Sequence, residues 1–64
     1  MYVHERIKRY MEQHRISVTD TAQKAGLSAH VLTAMLSGEQ TLYADDLRVI
    51  CLALNVSPEA FMED

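Results

Sequence analysis

The chain has 64 residues, 48% of them hydrophobic, and a net charge of −3. That length makes one domain (residues 1–64) near the lower limit for folding without metals, and the single cysteine excludes an internal disulfide, which favours a reducing compartment. No apolar run approaches the ~20 residues of a membrane span and the N-terminus shows no signal-peptide core, so a cytoplasmic protein with no membrane association is expected.

From about Val3 to His14, the residues Val3, Ile7, Tyr10, Met11 and His14 fall on one face of a helix. Glu5, Arg6, Lys8, Arg9 and Glu12 cover the other, with Glu5 and Arg9 spaced for an ion pair. Arg15 and Ile16 form the first connection, and Ile16 is expected to anchor it in the core. Ser17 then caps a second helix, about Val18 to Ala25, with Asp20 completing a capping-box pattern. Ala22 and Ala25 are small enough for another helix to come close. Gly26 ends this helix in the left-handed region, and Leu27 makes sense in a turn only if the turn packs on a core. Ser28 caps a third helix, about Ser28 to Leu36, in which Val31, Leu32, Met35 and Leu36 recur at helical spacing. Helix, short glycine turn, helix is a helix-turn-helix pattern over about residues 17–37.

Gly38 ends the third helix, and Glu39 to Tyr43 reads as a loop with the Tyr43 ring in the core. Ala44 to Leu54 forms a fourth helix, with Asp45 and Asp46 favoured by the dipole at its start. Its Leu47, Ile50, Cys51 and Leu54 read as core, and Asn55 suits its end. Ser57, Pro58 and Glu59 open a fifth helix as cap, first-turn proline and first-turn acid. Phe61 is placed to plug the open end of the core, and Glu63 and Asp64 are expected to fray.

The stretch SVTDTAQKAGLSAHVLTAMLSG resembles the helix-turn-helix of the Cro/cI (lambda-repressor-like, XRE) family. Ser17 as cap, Ala22 as the small residue, Gly26 in the turn, Ser28 as second cap, Leu32 in the core and Gly38 after the helix carry the match. It continues through LRVICLALNVSPEAFM, which looks like that family's fourth and fifth helices. The resemblance implies an all-α, compact five-helix domain acting as a sequence-specific transcriptional regulator, such as a repressor. Its partners would be double-stranded DNA and a second copy in a homodimer formed through the fourth and fifth helices, with Phe61 or Met62.

On this reading the third helix enters the major groove and offers Ser28, Ala29, His30, Thr33, Ala34 and Ser37 to the bases. Thr19, Lys24, Gln40 and Thr41 would hold the phosphate backbone. His30 and Thr33 can hydrogen-bond to base edges, and Ala29 can touch a thymine methyl. No Arg, Lys, Gln or Asn occurs from Ser28 to Gly38, so sequence preference would lean on thymine contacts, water and DNA shape. The charge is split in the chain. Residues 1–24 hold five basic against three acidic side chains, whereas residues 25–64 hold only Arg48 against six acids. One face can therefore meet DNA while the other points away.

Several positions depart from the family pattern. Val18 stands where a phosphate-binding Gln is usual, and Thr21 where a core Leu is usual. The loop EQTLY carries an acid and no base. Met11 and Leu36 occupy the positions of an Arg–Glu ion pair, which predicts an apolar contact between them. A rival reading, also from the residues, is a protein-interaction module that grips a partner with Ala29, Val31 and Ala34. Enzymatic activity is not expected: Asp45 and Asp46 are adjacent, hence on different sides of a helix, and no nucleophile–base set is present. No cofactor, metal site or small-molecule ligand is expected either, and Cys51 reads as an inert packing residue.

Overall fold

The computed structural model describes residues 2–62, so the expected fraying of Glu63 and Asp64 lies outside it. Five helices carry the chain: α1 Val3–Gln13, α2 Val18–Ala25, α3 Ala29–Ser37, α4 Ala44–Leu54 and α5 Glu59–Met62. No strand occurs among the described residues, and the fold class is all-α. The radius of gyration, 10.3 Å, is close to the roughly 11 Å of a well-packed chain of this length, so no helix is splayed away from the rest.

The helices begin in two ways. At α2 and α3 a serine does the capping: Ser17 Oγ accepts from Asp20 N at 3.2 Å, and Ser28 Oγ accepts from Val31 N at 3.0 Å. At α1 and α4 an acid in the first turn reaches back instead. Glu5 Oε1 accepts from Tyr2 N at 3.2 Å, and Asp46 Oδ2 accepts from Tyr43 N at 3.1 Å. Glu5, spaced in the sequence for Arg9, thus has one oxygen committed to the helix start.

The ends of the four longer helices share one device. Arg15, Gly26, Gly38 and Asn55 all take positive φ, at 55°, 77°, 85° and 61°. The next residue's N–H then reaches back five residues, Ile16 to Met11 O and Leu27 to Ala22 O at 2.8 Å, and Glu39 to Ala34 O and Val56 to Cys51 O at 3.0 Å. Ile16, Leu27 and Val56 are apolar and half-buried against the core, so three of these turns are pinned by the residue that closes them. That is how Leu27 comes to be packed while lying in a turn.

The core is built from Ile7 and Met11 on α1, Ala22 on α2, Leu32, Met35 and Leu36 on α3, Ile50 and Cys51 on α4, and Phe61 on α5. α2 packs on α3 and α4, and α1 packs on α3 and α5. Thr21 is also buried, at 2% exposure, and its Oγ1 donates to Ser17 O at 2.9 Å. That bond supplies the partner a buried hydroxyl needs, which is how a threonine fits where leucine is usual. Met11 and Leu36 are both buried, Leu36 at 6% exposure, and both line one hollow.

Three expectations are corrected. Tyr43 is not a core ring. It is 68% exposed, because its extended backbone is fixed as the N-cap of α4 by the Asp46 carboxylate, while neighbouring Leu42 takes the half-buried place. His14 leaves the apolar face: it caps the end of α1 as an exposed residue, with its ring 4.3 Å from that of Tyr10. Phe61 plugs the core as expected, but this removes it from any surface. It is 2% exposed and meets Tyr10 edge-on at 5.5 Å, so of the two residues offered for a dimer only Met62 is accessible.

Candidate nucleic-acid interface

Helix α3 is positioned from three sides. Leu32, Met35 and Leu36 sink into the core, Gly26 and Leu27 fix its approach from α2, and Gly38 ends it. A Cβ on Gly38 would lie 2.9 Å from His4 Nε2, so the start of α1 closes tightly over the end of α3. His4 in turn stacks on Tyr2, with ring centroids 5.6 Å apart. The exposed face left on α3 and its cap consists of Ser28, His30, Thr33 and Ser37. Ala29 and Ala34 are only half-buried, so parts of both remain at the surface.

The chemistry on that face is uneven. The Ser28 hydroxyl oxygen already accepts from Val31 N, and Ser37 Oγ donates its proton to Ala34 O at 3.0 Å. Ser37 therefore offers an acceptor outward, which suits a base donor and not a phosphate. No side-chain bond within the chain holds His30 or Thr33 among those the structure shows, and these two carry the hydrogen-bonding capacity of the face. It is a small reading head.

Backbone-gripping capacity comes from elsewhere. At the start of α2, Ser17 serves Asp20 N through its side chain and Thr21 N through its carbonyl. The N–H groups of Val18 and Thr19 in the first turn have no acceptor within the helix, and the positive end of the dipole lies there. Thr19 is exposed beside them. Gln40 and Thr41 are exposed in the α3–α4 loop. Lys24 is exposed too, but it borders a hollow shared with Arg15, Asp20 and Asn55 on the α4 side of α2.

Two further cations border α3: Lys8, whose charge salt-sensitive DNA binding is expected to need along with those of Arg9 and Lys24, and Arg15, which the sequence did not single out. Lys8 and Arg15 line the same hollow as Thr33 and Ser37, together with Glu12. The signal was present in part, since Lys8, Glu12 and Arg15 flank Met11 on one side of α1. What could not be read without the fold is that α1 packs on α3 and lays that edge along the exposed face. Cys51 takes no part: it is buried and free, and burial pushes its thiol up from the ordinary value, keeping it neutral and unreactive. No group of three or more His, Cys, Asp or Glu among the described residues is placed to hold a metal ion, and no helix there is long and apolar enough to cross a membrane.

A family model of the Cro/C1-type HTH DNA-binding domain matches residues 6–64. No curated protein and no solved structure gives a significant match.

Proposed function

Because the chain belongs to the Cro/C1-type helix-turn-helix DNA-binding family, we propose that it is a sequence-specific transcriptional regulator that lays α3 in the major groove and works as a cytoplasmic homodimer on paired half-sites. The observation that carries this reading is the exposed face of α3, which presents His30 and Thr33 and sets Thr33 beside Lys8, Arg15 and the start of α2. Base edges would meet His30, Thr33 and Ala29, with Ser28, Ala34 and Ser37 lining the contact. Phosphates would meet Thr19, the N–H groups of α2, Lys8 and Arg15, with Lys24, Gln40 and Thr41 further out. The acidic α4–α5 side would face away from the duplex. Leu52 on α4 and Met62 on α5 are 71% and 62% exposed, and these apolar side chains support a second copy docking there.

Fluorescence anisotropy on a randomised duplex pool, read at ~50 and ~200 mM salt, tests the proposal. With three or four phosphates neutralised, affinity should fall by about a hundredfold across that range. Lys8→Glu should lower both the affinity and the salt slope. The absence of binding at the lower salt would reject the proposal for this chain. It would favour the rival, a protein-interaction module using the apolar part of α3, to which the lack of Arg, Lys, Asn and Gln from Ser28 to Gly38 already lends support.

A further inference from the structure

The hollow beside α3 is half of a larger trough. One end, about 250 Å³, has a floor of Met11, Ile16, Val18 and Leu36. The other, about 460 Å³ and more polar, continues along α1 past Lys8 and Arg9. The two share Lys8, Glu12, Leu36 and Ser37, so a single molecule can span them. Ile16 and Val18 are half-buried and extend the floor beyond the edges of Met11 and Leu36, so a tail laid there would leave water for an apolar surface.

From this juxtaposition we propose that the α1–α3 trough binds a small amphipathic acid, its apolar tail on the Met11–Val18–Leu36 floor and its carboxylate at Lys8. Polarity and charge both select this occupant. The trough runs from an apolar end to a polar one, as an amphiphile does, with cations along its whole length. Lys8 stands where its two parts join, with Arg15 at one end and Arg9 at the other. Against these stand Glu12 and Glu5, and Glu5 already has an oxygen on Tyr2 N. The balance favours an anion over an amine. Size limits the tail: at ~30 Å³ for each water displaced, the apolar end holds about eight small groups, a medium chain and not a lipid bilayer anchor.

A ligand is not expected from the sequence, because the trough exists only where α1 meets α3. Thr33 and Ser37 form part of its wall, so an occupied trough would obstruct the face assigned above to DNA. That regulatory consequence rests on the proposed function; the binding site does not.

The experiment is a titration of octanoate into the isotope-labelled chain without DNA, followed by amide NMR shifts. The amides of Val18, Thr33 and Leu36 should shift together and saturate. Hexanoate, shorter by two methylenes, should bind roughly fifteenfold more weakly. Octylamine should bind less well than octanoate. Lys8→Glu, at an exposed site that spares the fold, should erase the preference for the acid. Val18→Glu sets a carboxylate on the floor at a position where the helix start tolerates one, and should remove binding. Equal binding of octanoate and octylamine would overturn the proposal. So would shifts centred on Leu52 and Met62, or no saturable shift. Added to the anisotropy assay, octanoate should release bound DNA; a chain that binds octanoate but no DNA would sink the proposed function and leave the site standing.

Discussion

The α2–α4 seam and the α1–α3 cleft belong to the same small core, yet the seam is filled along Ala22, Ile50 and Cys51 and opens only at its Ser17–Asn55 end, whereas the cleft opens over its core residues Met11 and Leu36. At the seam, Thr21 and Ala22 present small side chains, and Ile50 and Cys51 fill the space above them with almost no exposure. Small facing large is how helix ridges settle into grooves. At the cleft, Met11 and Leu36 both line a hollow of about 250 Å³. An Arg–Glu pair at those positions would extend charged heads over the mouth. Two apolar side chains can cover the floor, but they have nothing with which to span the rim. The difference teaches that an ion pair replaced by hydrophobes can preserve the core while uncovering a surface beside it.

The largest expected effect contrasts the two places directly. Ile50→Ala should cost about 3–4 kcal/mol, since the void would be enclosed on every side and could not refill. Leu36→Ala should cost only about 2 kcal/mol, because the space it leaves joins a hollow already open to solvent. Urea midpoints at constant slope measure both. Equal losses would mean that the cleft is as closed as the seam.

Alkaline pH probes the seam alone. Burial pushes the Cys51 thiol up from its ordinary value, so the unfolded chain loses that proton first. Between the unfolded and folded values the native state binds more protons, and stability must fall as pH rises, by about 1.4 kcal/mol per unit. The stability is therefore fully present below the ordinary thiol range and is lost as pH rises from there through the raised folded value. Subtracting the pH profile of Cys51→Ala from that of the parent chain isolates this slope among the lysines and tyrosines. A flat difference would show that the thiol is reached by water and that the seam opens.

Much of the seam was legible in the residues, and much of the cleft was not. Ser17, Gly26, Ser28, Gly38 and Asn55 act through bonds within one turn of themselves, so their spacing alone placed the helix ends. Ile50 and Cys51 sit in a run apolar enough to settle their burial. Tyr43 misled because an aromatic ring reads as core, whereas the Asp46 carboxylate three residues on decides its backbone. Phe61 was legible as a plug, but a plug and an interface exclude each other, and only packing against Tyr10 reveals which holds. Lys8 and Arg15 needed the most knowledge of the fold. Their charges were visible, but their place beside Thr33 depends on how two helices distant in sequence pack.

The smallest effect sharpens the comparison at the rim of the cleft. Arg15 holds φ at 55°, a left-handed conformation that costs an ordinary residue about 1–2 kcal/mol. Glycine escapes that strain but gives back about 0.4–1 kcal/mol through a freer unfolded chain. Arg15→Gly should thus raise stability by about 0.5 kcal/mol, a rise of roughly 2–4 °C in Tm for a domain of this size. The same change removes a cation from the wall shared with Thr33 and Ser37. If Arg15 meets a phosphate, DNA affinity should drop and the salt slope should flatten by about one unit while the fold gains. A residue that served the turn alone would move Tm and leave the slope untouched. Opposite signs for stability and affinity would place Arg15 at the edge of the DNA-binding face, held in a strained turn for the sake of its charge.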